Sequence, residues 1–250
     1  MQFKHLFILI LICFQSSAQI SVSKVSSKNL TADTFIGVDQ FENLFYIYNN
    51  ILYKNNNSKS FGSFQLGDLT SVDISNPLKI VLFYRDFNTA VLVDNNLNET
   101  DRIVFQNNIS FIRKASKDKL WIINADTNQL EVFNFKNKNT EFQSMPVKEK
   151  IIDIQSNFND VILRSNDAIY EYDYLCNMTG TQTFENTKKM KLFKNKRISL
   201  TKNQLYFFDK NNRETFIFQA KEIVDFYFRN DDFYIFDGTV IDSYRIDKKQ

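Results

Sequence analysis

The sequence predicts an all-β fold of six four-stranded blades closed into a ring, on three observations. An apolar segment recurs six times, as Leu44–Tyr48, Ile80–Tyr84, Leu120–Ile123, Val161–Leu163, Arg197–Leu200 and Phe233–Phe236. The interval of about 36 to 41 residues is that of one propeller blade per repeat. These segments are apolar on consecutive residues, as a strand covered on both faces must be. Turn residues divide the remainder into short strands; with only 5 Gly and 2 Pro, Asn clusters such as Asn55-Asn56-Asn57, Asn95-Asn96 and Asn211-Asn212 take the positive-φ positions. A β-sandwich would not require a fixed period along the whole chain.

Blade one is expected over Thr34–Asp39, Leu44–Tyr48, Ile51–Lys54 and Phe61–Leu66, with Asn49-Asn50 as the hairpin turn between its second and third strands. Blade two follows as Thr70–Ile74, Lys79–Tyr84, Thr89–Asp94 and Arg102–Phe105. Blade three is Ile109–Arg113, Lys119–Ile123, Gln129–Phe135 and Thr140–Ser144. Blade four takes Ile151–Gln155, Val161–Arg164, Ala168–Tyr172 and Gln182–Glu185, turning at Asn166-Asp167. Blade five takes Met190–Lys194, Arg197–Leu200, Gln204–Asp209 and Thr215–Gln219. Blade six has only Ile223–Phe228, Phe233–Phe236 and Thr239–Ile246, the last two joined at Asp237-Gly238. It is one strand short, whereas the run from Gln19 to Val25 has no blade of its own. Pairing that run with Thr239–Ile246 closes the ring and covers an open edge.

Ahead of this domain, residues 1–18 read as a cleaved signal peptide: Lys4, an apolar run from Leu6 to Phe14 too short to span a bilayer, then Ser16-Ser17-Ala18. Ile12 before Cys13 argues against lipidation. The expected mature chain, 19–250, forms one domain and loses His5, the only His, together with Lys4 and Cys13. Its 30 basic and 29 acidic side chains give a net charge of +1, with no field to recruit nucleic acid or an acidic membrane. Without His, the Ser-His-Asp and Cys-His arrangements and His-ligated zinc are excluded. Cys176 has no disulfide partner and no flanking cations to activate it.

Two sets of residues remain as site candidates. Asp39, Asp73, Asp153 and Asp225 each follow an apolar residue in a first strand, and first strands line the axis of such a ring. They could hold a hard cation; the reading preferred is structural, with each carboxylate closing its strand, because Arg113 and Lys194 occupy comparable places in blades three and five. Neither metal nor cofactor is expected. The second set is apolar loop tips on one rim, Phe41, Leu78, Phe158, Leu175 and Met178: gathered together they suit a protein partner, while the plainer and preferred reading folds each tip back over its own blade. On the opposite face the turn from Arg85 to Asn88 offers Arg85 and Phe87 as anchors.

The period and strand pattern resemble those of six-bladed β-propellers, over Gln19 to Ile246. The WD, kelch, YWTD and Asp-box signatures are absent. The Asn-, Lys- and Phe-rich composition is similar to that of small exported propellers of Gram-negative envelopes, including accessory and plug subunits of the type IX secretion translocon. This resemblance implies a non-enzymatic periplasmic binding module docked on an envelope protein, such as an outer-membrane secretion pore, without itself entering the membrane. The rival expectations are a propeller hydrolase or lyase with a metal in the central channel, and a carbohydrate-binding propeller with Tyr and Phe platforms.

Overall fold

The computed structural model describes residues 20–55, 58–183, 187–193, 196–208 and 214–248. The chain enters as β1 (Ile20–Asn29) and then builds blade one from β2 (Thr34–Val38), β3 (Leu44–Tyr48), β4 (Ile51–Lys54) and β5 (Lys59–Phe61). Blade two is β6 (Ser71–Asp73), β7 (Ile80–Tyr84), β8 (Thr89–Val93) and β9 (Glu99–Val104). Blade three is β10 (Ile109–Lys114), β11 (Lys119–Asn124), β12 (Gln129–Asn134) and β13 (Asn139–Gln143). Blade four is β14 (Asp153–Ser156), β15 (Val161–Arg164), β16 (Ala168–Tyr172) and β17 (Met178–Thr183). Blade five is β18 (Lys189–Phe193), β19 (Lys196–Thr201), β20 (Gln204–Phe208) and β21 (Glu214–Gln219). Blade six is β22 (Asp225–Arg229), β23 (Asp232–Phe236) and β24 (Val240–Lys248), completed by β1 in the order β1-β24-β23-β22. The result is a six-bladed β-propeller of antiparallel four-stranded sheets.

Closure through the N-terminal strand is therefore as the sequence required. β1 pairs with β24 from Ile20↔Lys248 to Asn29↔Val240, with one bulge between Lys24 and Ser26. Side chains reinforce the seam: Lys24 pairs with Asp242 at 2.7 Å, the Ser27 hydroxyl donates to Asp242 at 2.6 Å, and the Ser26 and Ser243 hydroxyls meet at 2.6 Å.

The double-sided burial read from the second strands has a direct cause in the alternation of β side chains. In β7, Ile80, Leu82 and Tyr84 pack with Phe45, Ile47 and Leu52 of blade one, while Val81 and Phe83 pack with Ile112, Leu120 and Ile122 of blade three. In β11, Trp121 and Ile123 turn the other way, onto Val161 and Leu163 of blade four. Each fully buried side chain of this size is worth about 1.5–3 kcal/mol relative to exposure, so the blade interfaces carry the stability of the ring.

Asn55 takes positive φ as expected, at 48°, but in the loop of Asn95-Asn96 it is Leu97 that does so, at 62°, and Asn56, Asn57, Asn211 and Asn212 lie outside the described residues; elsewhere Asn does more at the turns than adopt positive φ. Asn50 and Asn88, at φ 64° and 49°, each end a turn between second and third strands. The Asn50 side chain accepts from Leu69 N at 2.5 Å and donates to Gly67 O at 2.9 Å. The Asn88 side chain accepts from Ile109 N and donates to Phe105 O, both at 2.9 Å. Asn128 donates to Val147 O and Glu149 O, and Asn203 to Lys221 O. In all four, one side chain fastens a hairpin to the connection leading into the next blade.

Outer strands depart most from expectation. Blade one ends in Lys59–Phe61, and Phe64–Leu66, expected within that strand, is a 3₁₀ turn. In blade two the outer strand begins at Glu99 instead of Arg102, and in blade four it is Met178–Thr183 instead of Gln182–Glu185, Glu185 lying outside the described residues. Outer strands are covered on little of their surface, so polar runs such as Glu99-Thr-Asp-Arg102 form them without an apolar signal.

Candidate functional site

The rim carrying the first-to-second and third-to-fourth strand loops is built on a repeated turn. In Asp39–Asn43, Asp94–Asn98 and Asp173–Asn177 the leading Asp accepts from the backbone N–H groups two and four residues on. The closing Asn side chain donates back to it, and the residue before that Asn takes positive φ: Glu42 65°, Leu97 62°, Cys176 63°. Backbone donation from Asn98 and from Asn177 is the main reason the Asp94 and Asp173 carboxyls sit below their usual range. The third position of each turn is its tip, which places Phe41 and Leu175 outward.

Phe41, Leu78, Phe158, Leu175 and Met178 are all exposed, at 56, 66, 46, 52 and 59%. They are distributed over blades one, two and four, and Met178 is the first residue of β17 and not part of a loop. In blade four the ring of Tyr174 turns inward, edge-on to Trp121 at 5.8 Å with its hydroxyl accepting from Ser116 at 3.0 Å, so the tip beside it is fixed to blade three.

On the opposite face Arg85 is occupied within the fold: it lies 5.4 Å from the Phe111 ring centroid and donates to Ser110 O at 2.8 Å. Phe87 is exposed, and beside it the sequence reading missed Phe64, 78% exposed, by assigning it to a strand. The 3₁₀ turn that carries Phe64 ends at Gly67, where an added methyl would lie 3.4 Å from the Phe87 ring, so the turn between blades one and two packs beside Phe87.

Of the four candidate carboxylates, Asp73 is among the residues that line the cavity at the ring's axis. Asp39, buried, holds its turn. Asp73 accepts from Ser75 N at 2.8 Å and from Lys114 N of blade three at 2.7 Å. Asp153 accepts from Ile154 N at 2.8 Å, with Arg164 Nε 3.9 Å away, and buried Asp225 pairs with Lys189 of blade five at 2.8 Å. Among the described residues no three His, Cys, Asp or Glu side chains come together to hold a metal ion.

The channel cavity, about 100 Å³, is lined by Ile36, Val72, Arg113, Gln155, Lys191 and Tyr227, one from each first strand, with Asp73 and Ser156. Its cations are thus Arg113 and Lys191; Lys194 lies outside the described residues. Burial, and then the charges of Asp73 and Asp39, push the Tyr227 hydroxyl far above its usual range. Larger cavities open between blades: about 670 Å³ between β9 and blade three, floored by Phe133 and Phe135, and about 290 Å³ where blades six and one meet. Cys176 is buried, with its thiol pushed up to about 12 chiefly by burial and then by Asp173. Among the described residues no helix is long and apolar enough to cross a membrane.

Neither a protein-family model nor a curated protein matches the sequence. Solved structures do match the fold. The chain is similar to BBS1N, crystallised in complex with ARL6DN, at 9% identity over 86% of this chain and 78% of that one, with a TM-score of 0.62. It is similar to BamB from Moraxella catarrhalis at 13% identity over 87% and 76%, with a TM-score of 0.50. It is also similar to PorZ, an essential surface component of the type-IX secretion system of Porphyromonas gingivalis, at 12% identity over 90% of this chain and 39% of that one, with a TM-score of 0.53. At these identities the likeness establishes the propeller fold alone.

Proposed function

We propose that this propeller is a non-enzymatic binding module of a bacterial envelope, exported to the periplasm by residues 1–18, that docks through exposed loop tips on another envelope protein, an outer-membrane secretion pore in the finest form of the reading. The observation that carries it is the rim itself: Phe41 and Leu175 are held out by identical hydrogen-bonded turns, so their exposure is built into the loops. A pre-organised apolar tip binds without first paying to order its loop. The mature chain brings no His, and its thiol is buried and held protonated, which leaves contact as the chemistry on offer. The fold shared with PorZ, a bacterial surface component, is in keeping with an envelope role.

A second docking surface is favoured by one observation, the exposure of both Phe64 and Phe87 in connections on the opposite face. Affinity purification from detergent-solubilised envelopes, with mass spectrometry of what accompanies the chain, tests the proposal. An outer-membrane protein retained in stoichiometric amount is expected; a chain that purifies alone from envelopes in which it is expressed at native level refutes it.

A further inference from the structure

The central channel is divided by chemistry into two arcs. Blades three, four and five, consecutive around the ring, contribute Arg113, Gln155 with Ser156, and Lys191; blades six, one and two contribute Tyr227, Ile36 and Val72. One half is therefore hydrogen-bond donors with two positive charges, and the other half is largely apolar wall, with Asp73 and Ser75 of blade two as its polar members. Asp73 is the one carboxylate lining the cavity, and its two oxygens already accept from Ser75 N and Lys114 N. Arg113 commits one nitrogen to Ile112 O at 2.8 Å, which leaves the rest of its fork. A narrow cleft with an excess of one charge and low-dielectric walls concentrates the opposite ion.

The apolar arc is rigid, because the Tyr227 ring is seated against the backbone of Gly37, where no larger residue fits. The volume of about 100 Å³ limits the occupant to a small molecule. An inorganic anion would use the donor arc and leave the apolar one unmatched.

We propose that the channel is a binding site for a small aliphatic carboxylate. Its two oxygens are taken by the Arg113 fork and the Lys191 ammonium, with Gln155 and Ser156 as further donors, and its short alkyl chain lies along Ile36, Val72 and the Tyr227 ring. A planar carboxylate matches the guanidinium fork, and charge-assisted hydrogen bonds of this kind are the strong ones. The site is independent of the docking rim, so either proposal stands if the other fails.

The test uses the full mature chain with sodium butyrate as probe, sodium acetate as the shortened analogue and sodium chloride at equal ionic strength as control. Thermal unfolding and the ¹⁵N side-chain amide signal of Gln155 are followed together. Butyrate is expected to raise the melting temperature saturably and more than acetate, and to shift the Gln155 amide. Lys191→Gln is expected to leave the unliganded melting temperature in place and weaken butyrate binding at least about tenfold. Arg113→Lys, which keeps the charge and loses the fork, falls between the two. No saturable response to butyrate, an equal response from chloride, or undiminished binding in folded Lys191→Gln overturns the proposal.

Discussion

The ring of Tyr227 in β22 lies so close to Gly37 in β2 that a methyl group added at Gly37 would fall 2.5 Å from its Cε2 atom. Gly37 also has φ at 151°, a conformation that residues with a side chain rarely adopt. Blades six and one thus meet at the axis through a contact that only glycine permits. Gly37→Ala is expected to cost on the order of 1–3 kcal/mol through overpacking, read by urea unfolding. In a Tyr227→Ala background the same substitution should cost clearly less, because the colliding ring is gone. Equal costs in both backgrounds would mean that the ring is not seated there.

Ring closure by β1 sets a second expectation. Deleting residues 19–26 removes most of the outer strand of blade six and bares the edge of β24. The truncated chain should lose several kcal/mol and self-associate through that edge. A monomer that melts at the wild-type temperature would show the seam to be dispensable.

The Asn fasteners predict a local cost that turn propensity alone does not. Asn88→Ala loses the bonds to Ile109 N, Phe105 O and Asn107 O as well as a residue suited to φ 49°. Asn88→Gly restores only the backbone freedom. Both are expected to destabilise, Ala by about 2–3 kcal/mol and Gly by somewhat less. Recovery of full stability by glycine would mean that the side-chain bonds contribute nothing.

These cases mark what was legible in the sequence. The central strands could be read because each is buried between two neighbours, and β7 and β11 show it as unbroken apolar runs. The missing strand of blade six was legible by counting. The outer strands of blades two and four were misplaced because Glu99-Thr-Asp-Arg102 and Met178-Thr-Gly-Thr181 carry no apolar pattern. Two polar signals were not read in full: Asn directly before the third strand in blades one, two, three and five, taken as turn chemistry where it was noticed and not as a fastener, and Asp-x-x-x-Asn at three loops. Both act through hydrogen bonds between segments, which a search for periodic apolar residues passes over. Phe64 was missed for a related reason, since an aromatic residue between Phe61 and Leu66 looks like strand until Gly67 is seen to end a turn.

Cys176 closes the Asp173 turn from beneath, buried and at positive φ. With its thiol pushed up to about 12, chiefly by burial, it should resist alkylation at pH 8 in the native state. Labelling is expected only as fast as the chain unfolds, and to follow urea concentration accordingly. Rapid labelling of the folded protein would point to an activated thiol and reopen enzymatic readings.

The central claim, that the propeller works by contact through its loop tips, is tested most directly by capture of the envelope partner with two paired variants. Phe41→Ser with Phe158→Ser removes the aromatic tips of the first rim, and Phe64→Ser with Phe87→Ser removes those of the opposite face, all four residues being exposed. Buried aromatic anchors are worth roughly 2 kcal/mol or more each, so the first pair should reduce capture by at least about a hundredfold at an unchanged melting temperature. Full capture by the first pair and loss by the second would move the interface to the Phe64–Phe87 face. Full capture by both would contradict docking through exposed apolar tips altogether.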